Sequence, residues 1–579
     1  MKLKNQLPGK VFSSLFYLMA GFVFIIPVIR LLIMGFTLND GGLGLANYID
    51  LFEDPRTVEA IWNTVIIAIG STVTALILGV GFAFIIAYTN IKRKRLMEVL
   101  VLAPFVIPSY IISLSWSSLL DTKGIVNQAL SSMRLPVIDI YTIGGMILVM
   151  GICSVPMVYI SVISMFRKIP RDLEWAARAS GYSQAQAMLK INLIQARPAI
   201  ISGGILAFLA AVDNFAIPAF LGISSGIPVL STYIYEKAIS FGPGSFNSAA
   251  ALSVILSFIA IGGIAVQSVF IKKSSGIESI VEDYSARIEM TTWVRRLTEG
   301  LGLGFLCIVN IVPFITMMMS AFQKVNGVKF GLDNFTMKNF EFILGNRGVH
   351  QAIFNSLTLS LLTCVICIVI GMVVAYLKIR KHKQGMRAVE SAASLTYSLP
   401  GIVLALAMIF HWSMVPGVYG TVKILLIAYI TRYLILQIKG CSTAFLSIDP
   451  AIEEAAMVSG RTRVVIWVKI LIPLLAKQVL SNAFLIFMSA ATELTLSSML
   501  ASAGTKTIGL TIFNLQQSGD YNLSAAMAVL IVAAVLILYM VSVLTRCFGN
   551  IKEKLKKQKK MMKSVETLKE GKNHYELEY

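Results

Sequence analysis

Charge is what this sequence has least of. Of 579 residues only 14% are Asp, Glu, Lys or Arg, and His occurs four times. Soluble domains carry roughly a quarter charged residues. The deficit, with 56% hydrophobic residues and a mean hydropathy of +0.77, excludes an ordinary soluble domain. Negative charge is the scarcer sign: 30 acidic residues stand against 50 basic ones, a net +20. Catalytic signatures are missing too. There is no H-E-x-x-H, and no G-x-S-x-G in a strand–turn–helix setting. A P-loop needs G-x-x-x-x-G-K-[ST], so that backbone amides and a lysine hold phosphates. The nearest approach, "ASAGTKT" at 501–507, lacks the first glycine and the right residue after the last. No enzyme site is visible, and the chain is expected to bind no cofactor or resident metal. Six cysteines do not change this. Cys364 and Cys367 form C-x-x-C, but inside "LLTCVICIVIGMVV", with no polar partners, they read as small buried hydrophobes.

What is abundant is long apolar sequence. A spanning helix needs about 20 mostly apolar residues, and twelve segments qualify: 11–36, 61–90, 96–120, 143–166, 192–222, 249–271, 297–322, 353–377, 388–412, 420–444, 470–502 and 524–545. The first is too long for a signal-peptide core and lacks a small-residue cleavage site, so it reads as a retained span. With the N-terminus inside, 38 of the 50 Lys and Arg fall on the inner side, nine on the outer, and Arg30, Lys423 and Arg432 within spans. Cytoplasmic loops collect basic residues. A multi-pass protein of the plasma (cytoplasmic) membrane with both termini cytoplasmic is expected, and the net charge needs no nucleic acid. The basic tail, 551–579, suits anionic lipid headgroups.

The chain also repeats itself. "EEAAMVSGRTRVVIWVKILIP" at 453–473 has a worn copy, "EWAARASGYSQAQAMLKINLI", at 174–194. With Gly181 on Gly460, Glu174 falls on Glu453, Ala176 and Ala177 on Ala455 and Ala456, and Ser180 on Ser459. Each copy lies in the cytoplasmic loop before the fifth span of its half, so two six-span halves run in the same orientation. Each reads as a short helix–turn–helix. Glu favours the helix N-terminus, Ala-Ala offers a smooth surface for close approach, and the glycine permits a turn where a side chain would clash. One such loop would suit an amphipathic connector; two at equivalent positions favour a paired docking surface for a two-fold soluble partner. The outer loops repeat as well, "GLANYIDLF" against "GLDNFTMKNF".

These loops resemble the EAA loop of binding-protein-dependent ABC importer permeases, of type I or MetI-like fold. The second copy matches well, with Glu454-Ala455-Ala456, Gly460, Ile470 and Ile472-Pro473; in the first, Trp175 replaces the motif Glu and Ile194 the motif proline. Two halves fused in one chain are similar to ferric-iron-type permeases. The resemblance implies an all-α protein of about 12 transmembrane helices in two tandem permease domains. These are 1–290 with its loop at 167–198 and 291–550 with its loop at 446–478. It implies that Glu174, Ala176, Ala177, Gly181, Glu453, Glu454, Ala455, Ala456 and Gly460 seat on a cytoplasmic ATPase dimer that uses ATP on separate chains. An extracytoplasmic solute-binding protein would feed the path, and the outer loops would contact it or cap the bundle. Ferric iron is the implied substrate; polyamine, thiamine, phosphonate and sulfate remain as alternatives. A stand-alone secondary transporter is the rival class, with coupling-ion sites near the midplane.

Ionisable residues inside spans are costly and usually face protein interior or water. Asp213 (in "AAVDNFAIP", beside Asn214) and Glu493 lie 32 and 33 residues past their repeat glycines, near-equivalent in the two halves. They are expected to form the outer part of the solute path; the alternative is a helix-end carboxylate paired with a nearby amide or Lys. Arg432, mid-span, is expected to make a conformation-dependent ion pair or to bond broken-helix carbonyls. Arg30 and Lys423 are expected to snorkel, and His411 with Trp412 to sit at an interface.

Overall fold

Proline placement inside the apolar runs decides the architecture. The computed structural model describes residues 16–121, 124–240, 242, 244–272, 282–325, 328, 331–537 and 540. Among them regular structure is helical, with three isolated bridges and no sheet, as expected for an all-α protein. The first half comprises α1 (Phe16–Phe36), α2 (Pro55–Tyr88), α3 (Lys94–Val106), α4 (Ser109–Leu120), α5 (Ile143–Lys168), α6 (Arg171–Ala179), α7 (Arg197–Asp213), α8 (Leu230–Ile239) and α9 (Ser245–Lys272). The second comprises α10 (Thr292–Ala321), α11 (Arg347–Ile379), α12 (Gly385–Ser398), α13 (Gly401–Trp412), α14 (Val422–Leu446), α15 (Ala451–Val458), α16 (Arg463–Ala491), α17 (Thr495–Leu500), α18 (Ile508–Gln517) and α19 (Tyr521–Ile537). Eight helices are long and apolar enough to cross a membrane, or up to eleven when each bent pair counts as one span. The twelfth expected span, 524–545, appears as α19 and continues outside the described residues, where the tail 551–579 also lies.

Four expected spans are not continuous helices. The 96–120 and 388–412 segments bend by 105° and 114°, between α3 and α4 and between α12 and α13. Pro108 and Pro400 stand at these corners, and the residue before each, Ile107 and Leu399, is extended (ψ 128° and 140°). The proline ring pushes its predecessor out of the helical region. The 192–222 segment starts earlier, at Gln184, bends by 60° before α7, and breaks after Asp213, with helical structure resuming at Ala216. The 470–502 segment breaks between Ala491 and Thr495. Irregular backbone at membrane depth survives only where protein or a water-filled cavity surrounds it, so the breaks mark the interior.

The halves repeat individual contacts. Asn63 and Asn355 both donate to backbone carbonyls of a late segment of their own half, Pro228 at 2.9 Å and Lys506 at 3.0 Å. Beside them, Thr64 and Ser356 accept from the N–H of Leu230 and Ile508, each at 2.9 Å. The outer-loop repeat needs a correction. Asn47 donates to the carbonyls of Gly35 and Thr37, and the residue doing the same to Ala321 and Gln323 is Asn339, not the Asn334 of "GLDNF". The first span of each half crosses over. α1 packs on α12 and α13 of the second half, and α10 on α3 and α4 of the first. His411 and Trp412 are therefore buried, edge-on to Phe22 of α1 (4.5 and 5.5 Å), and not at an interface. Arg30, facing the same corner, donates to the carbonyl of His411 at 3.4 Å. Cys364 and Cys367 are buried free thiols.

Candidate functional site

Two features stand out, a pair of helical loops at one end of the bundle and a polar seam between the halves. The loops are built alike. α6 and α15 each end on a glycine with positive φ, Gly181 at +91° and Gly460 at +75°. The N–H of Gly181 donates to Arg178 (3.0 Å) and that of Tyr182 to Ala177 (3.1 Å); Gly460 and Arg461 repeat this with Met457 (3.0 Å) and Ala456 (3.1 Å). This is the Schellman ending, which satisfies the last carbonyls of a helix and needs a residue tolerant of left-handed backbone. No atom stands within 4 Å of a Cβ placed on either glycine. The glycines answer a conformational demand, and the expected clash is absent.

The motif residues divide by face. Glu174, Ala177, Glu453 and Ala456 turn inward and are buried; Trp175, Ala176, Glu454, Ala455, Gly181 and Gly460 lie on the exposed side. Glu174 and Glu453, expected among the coupling residues, make their contacts inward, within this chain. Each carboxylate is an anchor that holds its short helix to the bundle. Glu174 pairs with Arg287 and accepts from Asn192 Nδ2 at 2.5 Å; Glu453 pairs with Arg380 at 2.7 Å. A buried carboxylate requires such a partner. The outward faces are apolar for surface helices: Trp175 (with Arg171 over its ring at 5.6 Å), Met457, Val458 and Val464 are exposed, Val458 by 89%.

The seam lies where α7 ends against α13 and α14. Asp213 Oδ2 accepts from Arg432 Nη2 at 2.6 Å, and its Oδ1 from the N–H of Gly401 at 2.6 Å, the first residue after the Pro400 corner. Arg432 makes an ion pair inside the bundle, a contact common to a conformation-dependent pair and to a structural one. Glu493 is bound differently: it accepts the Tyr433 hydroxyl and the N–H of Leu496, the latter at 2.9 Å. Asn214 accepts from Ile217 at 3.0 Å in the same three-residue relation. So Asn214 is the counterpart of Glu493, 33 residues past its glycine. Asp213 and Glu493, 32 and 33 residues past their glycines, are therefore neighbours in the repeat: Asp213 closes its helix while Glu493 caps the next. Beyond these groups Phe513 of the second half packs against Phe215, Phe220 and Tyr235 of the first, at 6.1, 5.7 and 6.2 Å between centroids.

Arg287, Arg380, Tyr433 and Gly401 were not singled out from sequence. The signal available was the demand of each buried acid for a partner; nothing in spacing identified which basic residue answers it.

Broken spans around an interhalf polar seam, with twin helical loops, are the features of a membrane protein built from two repeated halves. The chain belongs to the family described as binding-protein-dependent transport system inner membrane component, which matches twice, at residues 75–274 and 367–549. It is thus a permease subunit of an ABC importer. It is similar to the ferric transport system permease protein FbpB of Actinobacillus pleuropneumoniae, 22% identical over 456 residues, 77% of this chain and 65% of that protein. The chain spans just under two thirds of that relative's length. Over 499 residues it is 22% identical to the Fe(3+)-transport system permease protein FbpB 2 of Haemophilus influenzae, covering 85% of this chain and 90% of that one. A putative 2-aminoethylphosphonate transport system permease protein, PhnU of Salmonella paratyphi A, is 28% identical over 204 residues, 34% of this chain.

Proposed function

We propose that this permease imports ferric iron, received from an extracytoplasmic solute-binding protein and driven by ATP hydrolysed on separate cytoplasmic chains. The observation that carries the reading is the twin construction of α6 and α15, each with a glycine-ended helix, an anchored carboxylate and an exposed apolar face. A two-fold ATPase dimer would seat against these faces through Trp175, Ala176, Glu454, Ala455 and their neighbours. Closure of the dimer would then push both helices together, and the anchors would pass the motion to the spans. This places the loops and both termini in the cytoplasm, in line with the 38 to nine division of basic residues. The division into two domains at 290/291 remains part of this reading; it falls between the two family matches, which end at 274 and resume at 367.

Asp213, Asn214, Arg432 and Glu493 would line the path at a closed constriction. Release of Asp213 from Arg432 would accompany opening. Ferric iron is favoured as substrate because the relatives that align over most of this chain include ferric permeases, whereas the phosphonate permease aligns over 34% of it. A hard cation also prefers oxygen donors such as these carboxylates. The test is purification of the tagged chain from membranes. A P-loop ATPase should accompany it, and should be lost when Glu454 and Gly460 are both replaced. Recovery of the same ATPase with the doubly changed chain would overturn the docking assignment.

A further inference from the structure

The two anchored carboxylates take their guanidinium from different places. In the second half it comes from Arg380, the residue that ends α11. Its Nε donates to Glu453 at 2.7 Å and its Nη2 to the carbonyl of Ile448 at 2.6 Å. In the register that relates Gly79 to Gly371 and Pro108 to Pro400, the residue matching Arg380 is Tyr88, which carries no charge. The gap is filled from elsewhere. Arg287 lies over the Tyr88 ring, 4.9 Å from its centroid; it donates to Glu174 through Nη1 and to the carbonyl of Ile169 through Nη2 at 2.6 Å. Ile169 and Ile448 are themselves equivalent, as are Glu174 and Glu453. Contact for contact, Arg287 does what Arg380 does.

Arg287 sits on the segment that leads from the first half into α10, and that segment is laid down along the first loop. The N–H groups of Arg287 and Ile288 both donate to the Tyr88 carbonyl at 2.8 Å, and that of Asp283 to the Arg167 carbonyl at 2.7 Å. Gln184 donates to the Arg287 carbonyl at 2.6 Å, and Arg171 to the Ser285 hydroxyl at 3.0 Å. Asn90 and Met290 exchange a pair of bonds, at 3.3 and 3.2 Å. Arg287 itself is 6% exposed. α10 begins at Thr292 and packs on α3 and α4 of the first half.

We infer that Arg287 is a positioning residue for the first coupling joint, and that 282–291 is a strap through which α6 moves the first span of the second half directly. The two joints are then unequal. α15 is anchored through Arg380, which follows α11 of its own half, while α6 is anchored through Arg287 to the connection that leads into α10 of the other half. A covalent link between the halves is a working part of the first joint, and this rests on the reading of α6 and α15 as coupling helices.

The test uses the whole importer in proteoliposomes, with ferric iron taken up per ATP hydrolysed as the readout. Chains are compared at matched membrane abundance. Arg287→Ala is expected to lower that ratio roughly tenfold or more, because α6 then loses the buried ion pair that ties it to the strap. Arg287→Lys, which keeps the charge but loses the planar fork, should fall between. Glu174→Gln removes the same contact from the other side and should match Arg287→Ala. The specific outcome is rescue. Tyr88→Arg, which rebuilds the second-half arrangement in the first, should restore most of the ratio in the Arg287→Ala background. A merely structural Arg287 would alter abundance and leave the ratio untouched. A parental ratio in Glu174→Gln or Arg287→Ala, or a double variant no better than Arg287→Ala, overturns the inference. If the parent chain itself shows no dependence of uptake on ATP, the coupling reading fails instead.

Discussion

Asp213 and Arg432, 219 residues apart in the chain and in opposite halves, hold each other at 2.6 Å where α7 stops. The same carboxylate receives the first free N–H after the Pro400 corner, that of Gly401. One acid therefore joins the end of a broken span, the start of another and the middle of a third. Arg432 is buried, whereas the Asp213 side chain is 37% exposed, so water reaches one side of the pair.

Removing Asp213 alone should leave a buried guanidinium unpaired. Loss of one partner of a buried pair costs about 3–5 kcal/mol, and the exposure of Asp213 places this case at the lower end. Asp213→Asn is expected to lower the thermal stability of the purified chain, and Asp213→Asn with Arg432→Gln to recover it. A double variant less stable than the single would show that the pair is not what holds the seam.

Glu493 should behave differently, since it has no cationic partner among its hydrogen bonds. Glu493→Gln retains a carbonyl for the Leu496 N–H and turns its NH2 to the Tyr433 hydroxyl, whose oxygen can accept, so the fold should stand with a loss of about 1 kcal/mol. Ferric uptake should fall if the carboxylate charge faces the solute. Uptake at the parental rate in Glu493→Gln combined with Asp213→Asn would remove both acids from the path.

The glycines that end α6 and α15 make a prediction about residue type. Left-handed backbone costs an ordinary side chain roughly 1–2 kcal/mol, and Asn less. Gly460→Asn should keep most ATPase binding, while Gly460→Val should lose it. Gly181→Val should cost less than Gly460→Val, because Gln184 and the strap hold the first loop independently. Equal tolerance of Asn and Val in a pull-down would contradict the conformational role.

Asp283 supplies a pH test of the strap. Burial opposes its ionisation, but the Ser285 hydroxyl and N–H, with Arg287 and Arg171 nearby, outweigh that and hold the carboxyl below its usual range. A carboxylate with a depressed folded value contributes stability above the unfolded value of about 3.9, lost as pH falls through the folded one. Its contribution is thus constant between about pH 6 and 8. Asp283→Asn should lower protection of the strap amides in hydrogen exchange by the same factor at both ends of that range. A pH-dependent difference there would assign the strap to another group.

Much of this was legible in the sequence, for identifiable reasons. Composition and basic-residue placement gave the membrane class, and the Gly181/Gly460 register gave the two halves and the twin loops. The corners at Pro108 and Pro400 were hidden, because a proline within an apolar run leaves hydropathy unbroken while turning the chain by more than a right angle. The one-residue offset between Asp213 and Glu493 was visible in the count from the glycines, but that Asp213 closes one helix while Glu493 caps the next was not, since counting carries no information about where a helix ends. Glu174 and Glu453 were read as coupling residues, and their partners stayed hidden because they are remote; Arg287 lies 113 residues from Glu174. Periodicity carries no information about a contact of that range.

The central claim is that α6 and α15 turn ATP hydrolysis on other chains into movement of ferric iron. Uptake of radiolabelled ferric iron into proteoliposomes tests it most directly, with this chain, its ATPase and its loaded binding protein present together. Accumulation should require ATP and all three components, and should stop when Glu454 and Gly460 are both replaced. Accumulation driven by an ion gradient with no ATPase present would contradict it.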